Sequence, residues 1–137
     1  MARRAPAFPK SYSNRPLRKA LETLAALPNR TTLDALLAAM RTGGLIVDIT
    51  GSTDAADPQL RTILSTDGEL VLPLFTSLAE LRLAVPVPDR PAVKAMFLPA
   101  PEALALIETA DFVAVQFDAG SLAQIVKRDF VTASIRP

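Results

Sequence analysis

Asp67 and Gly68 stand between two short apolar runs, Leu60–Leu64 and Leu70–Phe75. An Asp-Gly pair offers the positive backbone angles that a tight hairpin turn needs. The flanking runs are rich in aliphatic residues and short enough for strands. A hairpin at this position rules out an all-helical bundle and a purely parallel sheet. Pro73 inside the second run donates no backbone hydrogen bond. It therefore belongs where that amide would point outward, or at a bulge.

The other elements follow from periodicity and stop signals. Residues 1–13 carry no periodic apolar pattern and read as an irregular arm. Asn14 caps a first helix with Pro16 in its first turn. Leu17, Leu21, Leu24 and Leu27 form its apolar stripe, and Arg18 and Glu22 form an i,i+4 charge pair on the other edge. Thr31 or Thr32 caps a second helix carrying Leu33, Leu36, Leu37 and Met40, which Gly43 and Gly44 stop. The two helices are expected to pack as a hairpin over the sheet. Leu45–Thr50 reads as the first strand. After the predicted hairpin, Ser77 and Glu80 fit a capping box opening a short helix over Leu78–Leu83. Val85–Pro91, with three prolines, reads as an extended loop. Val93–Leu98 is a strand, Ala103–Thr109 a helix opened by Pro99–Glu102, and Phe112–Phe117 a strand. Asp118–Ser121 turns the chain, Ala123–Val126 returns as a strand, and Arg128–Ile135 forms a last helix. Leu122–Val131 as one helix is the alternative for that end. Phe75, Met96, Phe97, Phe112, Phe117 and Phe130 are assigned to the core. The fold class is α/β (α+β): one domain, with a mixed sheet of about five to six strands, a β-hairpin and flanking helices. The boundaries are 1–13 for the arm and 14–137 for the domain.

Two absences bound the chemistry. The 137 residues include no cysteine and no histidine. Disulfides, thiolate nucleophiles and thiolate metal sites are excluded. So are histidine-based proton shuttling and the Ser–His and Cys–His catalytic pairs within this chain. Carboxylate, lysine, tyrosine and Ser–Lys chemistry remain. No glycine loop for phosphate is present, since Gly43-Gly44 precedes a strand rather than following one. No apolar run approaches the ~20 residues that span a bilayer, and the sequence reads as cytoplasmic.

Charge is uneven. Residues 1–21 hold Arg3, Arg4, Lys10, Arg15, Arg18 and Lys19 and no acid, whereas residues 22–137 hold nine basic and fourteen acidic side chains. A basic head on a mildly acidic body suits an acidic protein face or nucleic acid. A solubilising terminus accounts for it equally. Asp48 lies in an apolar strand, facing water by alternation or sitting at a strand end in a cleft. With Asp54 and Asp57 it would make an irregular cation set that lacks calcium-loop spacing. Thr76 and Ser77 open a helix, and Asp118, Gly120 and Ser121 form a turn. Together with Asp48 these five complete the candidate cleft. No catalytic residue, metal site or cofactor is assigned.

The run Leu70-Val71-Leu72-Pro73-Leu74-Phe75-Thr76-Ser77, the preceding Asp67-Gly68 and the following Ala79-Glu80-Leu81 resemble the amino-terminal domain of SseB-type bacterial proteins. The Phe112–Phe117 strand and the turn after it are also similar. The family turn usually reads Asn-Pro-Gly-Ser; here Asp118 and Ala119 depart while Gly120 and Ser121 match. The likeness extends over roughly residues 14–135. It implies a mixed α/β domain and brings no catalytic residue or cofactor.

Three functions are therefore expected in order. The first is a non-catalytic protein-interaction module, an accessory or regulatory subunit anchored by the basic arm. The second is a nucleic-acid or ribonucleoprotein accessory factor. The third is a carboxylate-based small-molecule or metal-binding enzyme or sensor.

Overall fold

A computed structural model describes residues 11–53 and 58–135. Arg3, Arg4, Lys10, Asp54 and Asp57 lie outside the described residues. The elements run α1 (Arg15–Ala26), α2 (Arg30–Ala39), β1 (Gly44–Asp48), β2 (Ile63–Leu64), β3 (Leu70–Phe75), α3 (Leu78–Leu83), β4 (Ala95–Pro99), α4 (Ala100–Ala105), β5 (Ala114–Phe117), β6 (Gln124–Lys127) and α5 (Arg128–Ile135). Short 3-10 turns cover Val87–Ala92 and Leu106–Thr109.

The mixed sheet has the order β4-β1-β3-β5-β6, with β2 also on β3. Only β3 and β5 run parallel; the other pairs are antiparallel. Because side chains alternate along a strand, each strand divides its residues between two faces. Leu45, Val47, Leu72, Leu74, Val115, Phe117 and Val126 turn to one face, where they meet Leu17 and Leu21 of α1, Leu36 of α2, Ala103 and Leu104 of α4 and Val131 of α5. Ile46 and Phe75 turn to the other face and pack with Leu81 of α3, next to Phe97. The inner face is thus roofed by four helices. The outer face is roofed at one end, by α3 and the Val87–Ala92 turn.

The expected hairpin is β2–β3. Its turn differs in detail: Gly68 has φ +77°, while Asp67 is absent from the positive-φ residues. Gly68 N–H donates to the Ser65 carbonyl and Ser65 N–H to that of Glu69. This is a type I turn closed by a left-handed glycine, a three-residue hairpin form. The first strand of the pair is only Ile63–Leu64 and not Leu60–Leu64. Leu60 packs on the core from the side, and Arg61 N–H is spent on the Asp48 carbonyl.

That arrangement accounts for Pro73. Leu70 and Val71 pair with β2, whereas Leu74 and Phe75 pair with β1 on the same edge of β3. Pro73 falls at the hand-off, where neither β1 nor β2 supplies a partner on that edge.

Several boundaries move. Asn29, not Thr31 or Thr32, caps α2. Its side chain accepts from Thr32 N–H while the Thr32 hydroxyl accepts from Asn29 N–H. The Ser77–Glu80 box is half formed: the Ser77 hydroxyl accepts from Glu80 N–H, but the Glu80 carboxylate is used elsewhere. Leu27 and Phe130 are exposed rather than core, because each sits at a helix terminus beyond the packed stripe. Gln124–Lys127 is a strand, which removes the one-helix alternative for Leu122–Val131.

Tyr12 and Asn14 are tied to this body. Asn14 caps α1 through Oδ1 on Leu17 N–H and donates Nδ2 to the Gly44 carbonyl, 3.0 Å. Its own N–H donates to the Thr76 carbonyl. The Tyr12 hydroxyl accepts from Gly44 N–H, 2.8 Å, and its ring packs edge-on against Phe97.

Candidate functional site

The residues singled out in sequence fall in two places. Thr76, Ser77, Asp118, Gly120 and Ser121 converge where β3 enters α3 and β5 enters its turn. Asp48 stands apart, at the end of β1.

The first place is a closed polar junction. Asp118 follows β5, has φ +51° and is fully buried. A left-handed backbone is tolerated by aspartate better than by most residues. Its Oδ1 accepts from Thr76 N–H, 2.9 Å, and its Oδ2 from the Thr76 hydroxyl and Arg18 Nη1, both 2.9 Å. Arg18 also reaches Glu80, 3.1 Å, and Glu22, 3.0 Å. Arg18 Nη1 donates to Ser121 Oγ, whose hydroxyl donates to Glu80 Oε1 at 2.5 Å. Gly120 lies so close to the α3 terminus that a Cβ there would sit 2.6 Å from Ala84 N. Ser77 adds the α3 cap and a bridge to Ser13.

Burial pushes the Asp118 carboxyl above its ordinary value, against the pull of Thr76 and Arg18. Burial alone would lower the Arg18 guanidinium. The hydrogen bonds to Glu22 and Asp118 and the charges of Glu80 and Asp118 outweigh it and raise the group. Both oxygens of Asp118 are matched by donors from this chain. Among the described residues no fully buried side-chain nitrogen or oxygen lacks a partner. The junction joins α1, α3 and the β5–β6 turn.

Sequence reasoning missed the central role of Arg18, which it grouped with the basic head. In the fold Arg18 is turned inward, a quarter exposed, onto three carboxylates. Arg15 and Lys19 on the same helix are exposed.

The second place is a two-lobed cleft beyond β1. A lobe of about 270 Å³ is bounded by Thr50, Val85, Asp89 and Val93. One of about 160 Å³ is bounded by Ile63, Pro73, Phe75 and Ala119. Asp48, Arg61, Ala84 and Val85 line both. Among the described residues there is no group of three or more metal-ligating side chains, and no helix long and apolar enough to cross a membrane.

A third feature was not foreseen. Among the described residues no helix covers the outer face of β5 and β6, around a groove of about 430 Å³ lined by Val71, Val113, Ala114, Ile125 and Lys127.

A mixed sheet roofed by four helices on one side and knitted by an Arg–Asp–Glu junction around the buried Asp118 defines a mixed α/β domain. The family model for the SseB protein N-terminal domain matches residues 17–132, so the chain belongs to that family. Comparison with curated proteins and with solved structures returned no match.

Proposed function

We propose that this domain is a non-catalytic protein-interaction module, an accessory or regulatory subunit that docks through the outer face of β5 and β6 and is anchored by its basic amino-terminal arm. The observation that carries this reading is the uncovered half of the sheet. Ile125 in β6 is 46% exposed and Val113, just before β5, 38%, and both line the groove. Apolar side chains gathered around a groove mark a surface for macromolecular contact. Lys127, Glu69 and Asp129 border the groove and give it a polar rim, the usual anatomy of a docking patch.

A photocrosslinking residue at Ile125 in the full chain, compared with one at the exposed Leu27, tests the reading. The expected result is one stoichiometric partner captured from position 125 alone. Its binding to the purified chain should fall with Ile125→Asp and with removal of residues 1–10. Equal capture from both positions, or none, would overturn the proposal. RNA or DNA binding that weakens steeply with salt would favour the nucleic-acid reading instead.

A further inference from the structure

We infer that the cleft at the end of β1 is a binding site for a small organic cation, a primary ammonium on a short alkyl body. The inference does not depend on the docking surface, which occupies another part of the sheet.

The argument begins with the two oxygens of one carboxylate. Asp48 is 7% exposed. Its Oδ1 accepts from both Thr50 N–H, 2.9 Å, and the Thr50 hydroxyl, 2.5 Å. Among the described residues no donor lies on Oδ2. Asp48 lines both lobes of the cleft. A half-enclosed carboxylate oxygen without a donor favours a ligand that brings N–H groups and positive charge.

The surroundings narrow the class. Val85, Pro86 and Val93 wall the larger lobe, and Ile63, Pro73 and Phe75 the smaller. Apolar walls converging on one polar group are the general form of a small-molecule site. Each lobe is smaller than the ~300 Å³ at which drug-sized pockets begin, so the ligand has few heavy atoms.

The neighbouring charges are mixed. Asp89 adds a second carboxylate at the rim, and Arg61 an opposing guanidinium. Lys94 Nζ is held by the Ser52 carbonyl, 2.7 Å, and Arg90 Nε by those of Arg82 and Val85. A carboxylate ligand would meet Asp48 at the floor. Calcium needs roughly six to eight oxygen ligands, more than Asp48 Oδ2, Asp89 and Thr50 supply among the described residues.

The test is an amide NMR titration of the full chain at fixed ionic strength with n-butylammonium, and separately with butyrate. Expected are saturable shifts at Asp48, Thr50, Val85 and Val93 with the amine and none with the acid. Asp48→Asn keeps an Oδ1 for Thr50 and removes only the charge. It should weaken amine binding by about tenfold or more, the worth of one charge-assisted hydrogen bond. Ala92→Trp, at an exposed rim position, should block the larger lobe without touching Asp48 and serves if the first variant does not fold. Shifts absent, scattered over the surface, matched by butyrate, or undiminished in a folded variant would overturn the site.

Discussion

Asp48 is the last residue of β1 and Asp118 the first after β5 on the same sheet, and each is almost wholly buried. They differ in what surrounds them. Asp118 has a donor on both oxygens, including an arginine one hundred residues away in sequence. Asp48 has one oxygen occupied by its own loop, and the other takes no donor from the described residues at the cleft that Asp48 lines. The first carboxylate holds three elements together, while the second only shapes a turn. Burial alone therefore does not tell a structural acid from a binding acid; the count of unmatched oxygens does.

The largest break in this comparison comes from Asp118→Ala. It leaves the buried Thr76 amide and hydroxyl without their acceptor, while Arg18 keeps Glu22 and Glu80, and should cost about 3 kcal/mol, at ~1–3 kcal/mol for each buried donor left unsatisfied. Chemical denaturation followed by circular dichroism reads it. Gly120→Ala comes next, because its methyl meets Leu83 and Ala84 backbone at 2.6 Å. Overpacking of that kind costs about 1–3 kcal/mol. Asp118→Asn is milder, about 1 kcal/mol by the worth of one hydrogen bond. Asparagine accepts the left-handed backbone and still takes the Thr76 amide; the same denaturation assay should rank it below both.

A pH series sharpens the contrast further. The folded-state carboxyl of Asp118 is raised above the ordinary 3.8. The folded protein thus holds that proton more tightly than the unfolded chain. The stability this contributes is complete below about 3.8 and is lost as pH climbs through the raised value. The stability advantage of wild type over Asp118→Asn should shrink across that window, measured from paired urea midpoints. A difference that grows with pH would show the ion pair with Arg18 dominating burial. The smallest effect is expected for Asp48→Asn, within about 0.5 kcal/mol, since both Thr50 contacts survive.

Much of the fold could be read in the residues. The α1 stripe, β3, α3, α5 and the hairpin depend on short-range signals: leucine spacing, Ser77 before a helix, Gly68 in a turn. Asn29 was passed over because two threonines stood closer to the apolar stripe. The strand at Leu60 was overextended because an apolar run does not reveal that Arg61 will bond the end of β1. The polar junction was half legible. Thr76, Ser77, Asp118, Gly120 and Ser121 drew attention as helix-opening and turn residues. Nothing local shows that Arg18, apparently one charge in a basic head, reaches them across the chain. The bare face of β5 and β6 was also hidden, since alternation marks two faces but not which one a helix will leave open.

Pro73 has a consequence for how the chain tolerates change. The stretch between β1 and β2 departs from one edge of β3 and rejoins it on the other side of this proline. No rung of the ladder has to cross that gap. A residue with an amide at position 73 would therefore present a donor for which neither neighbouring strand on that edge supplies an acceptor.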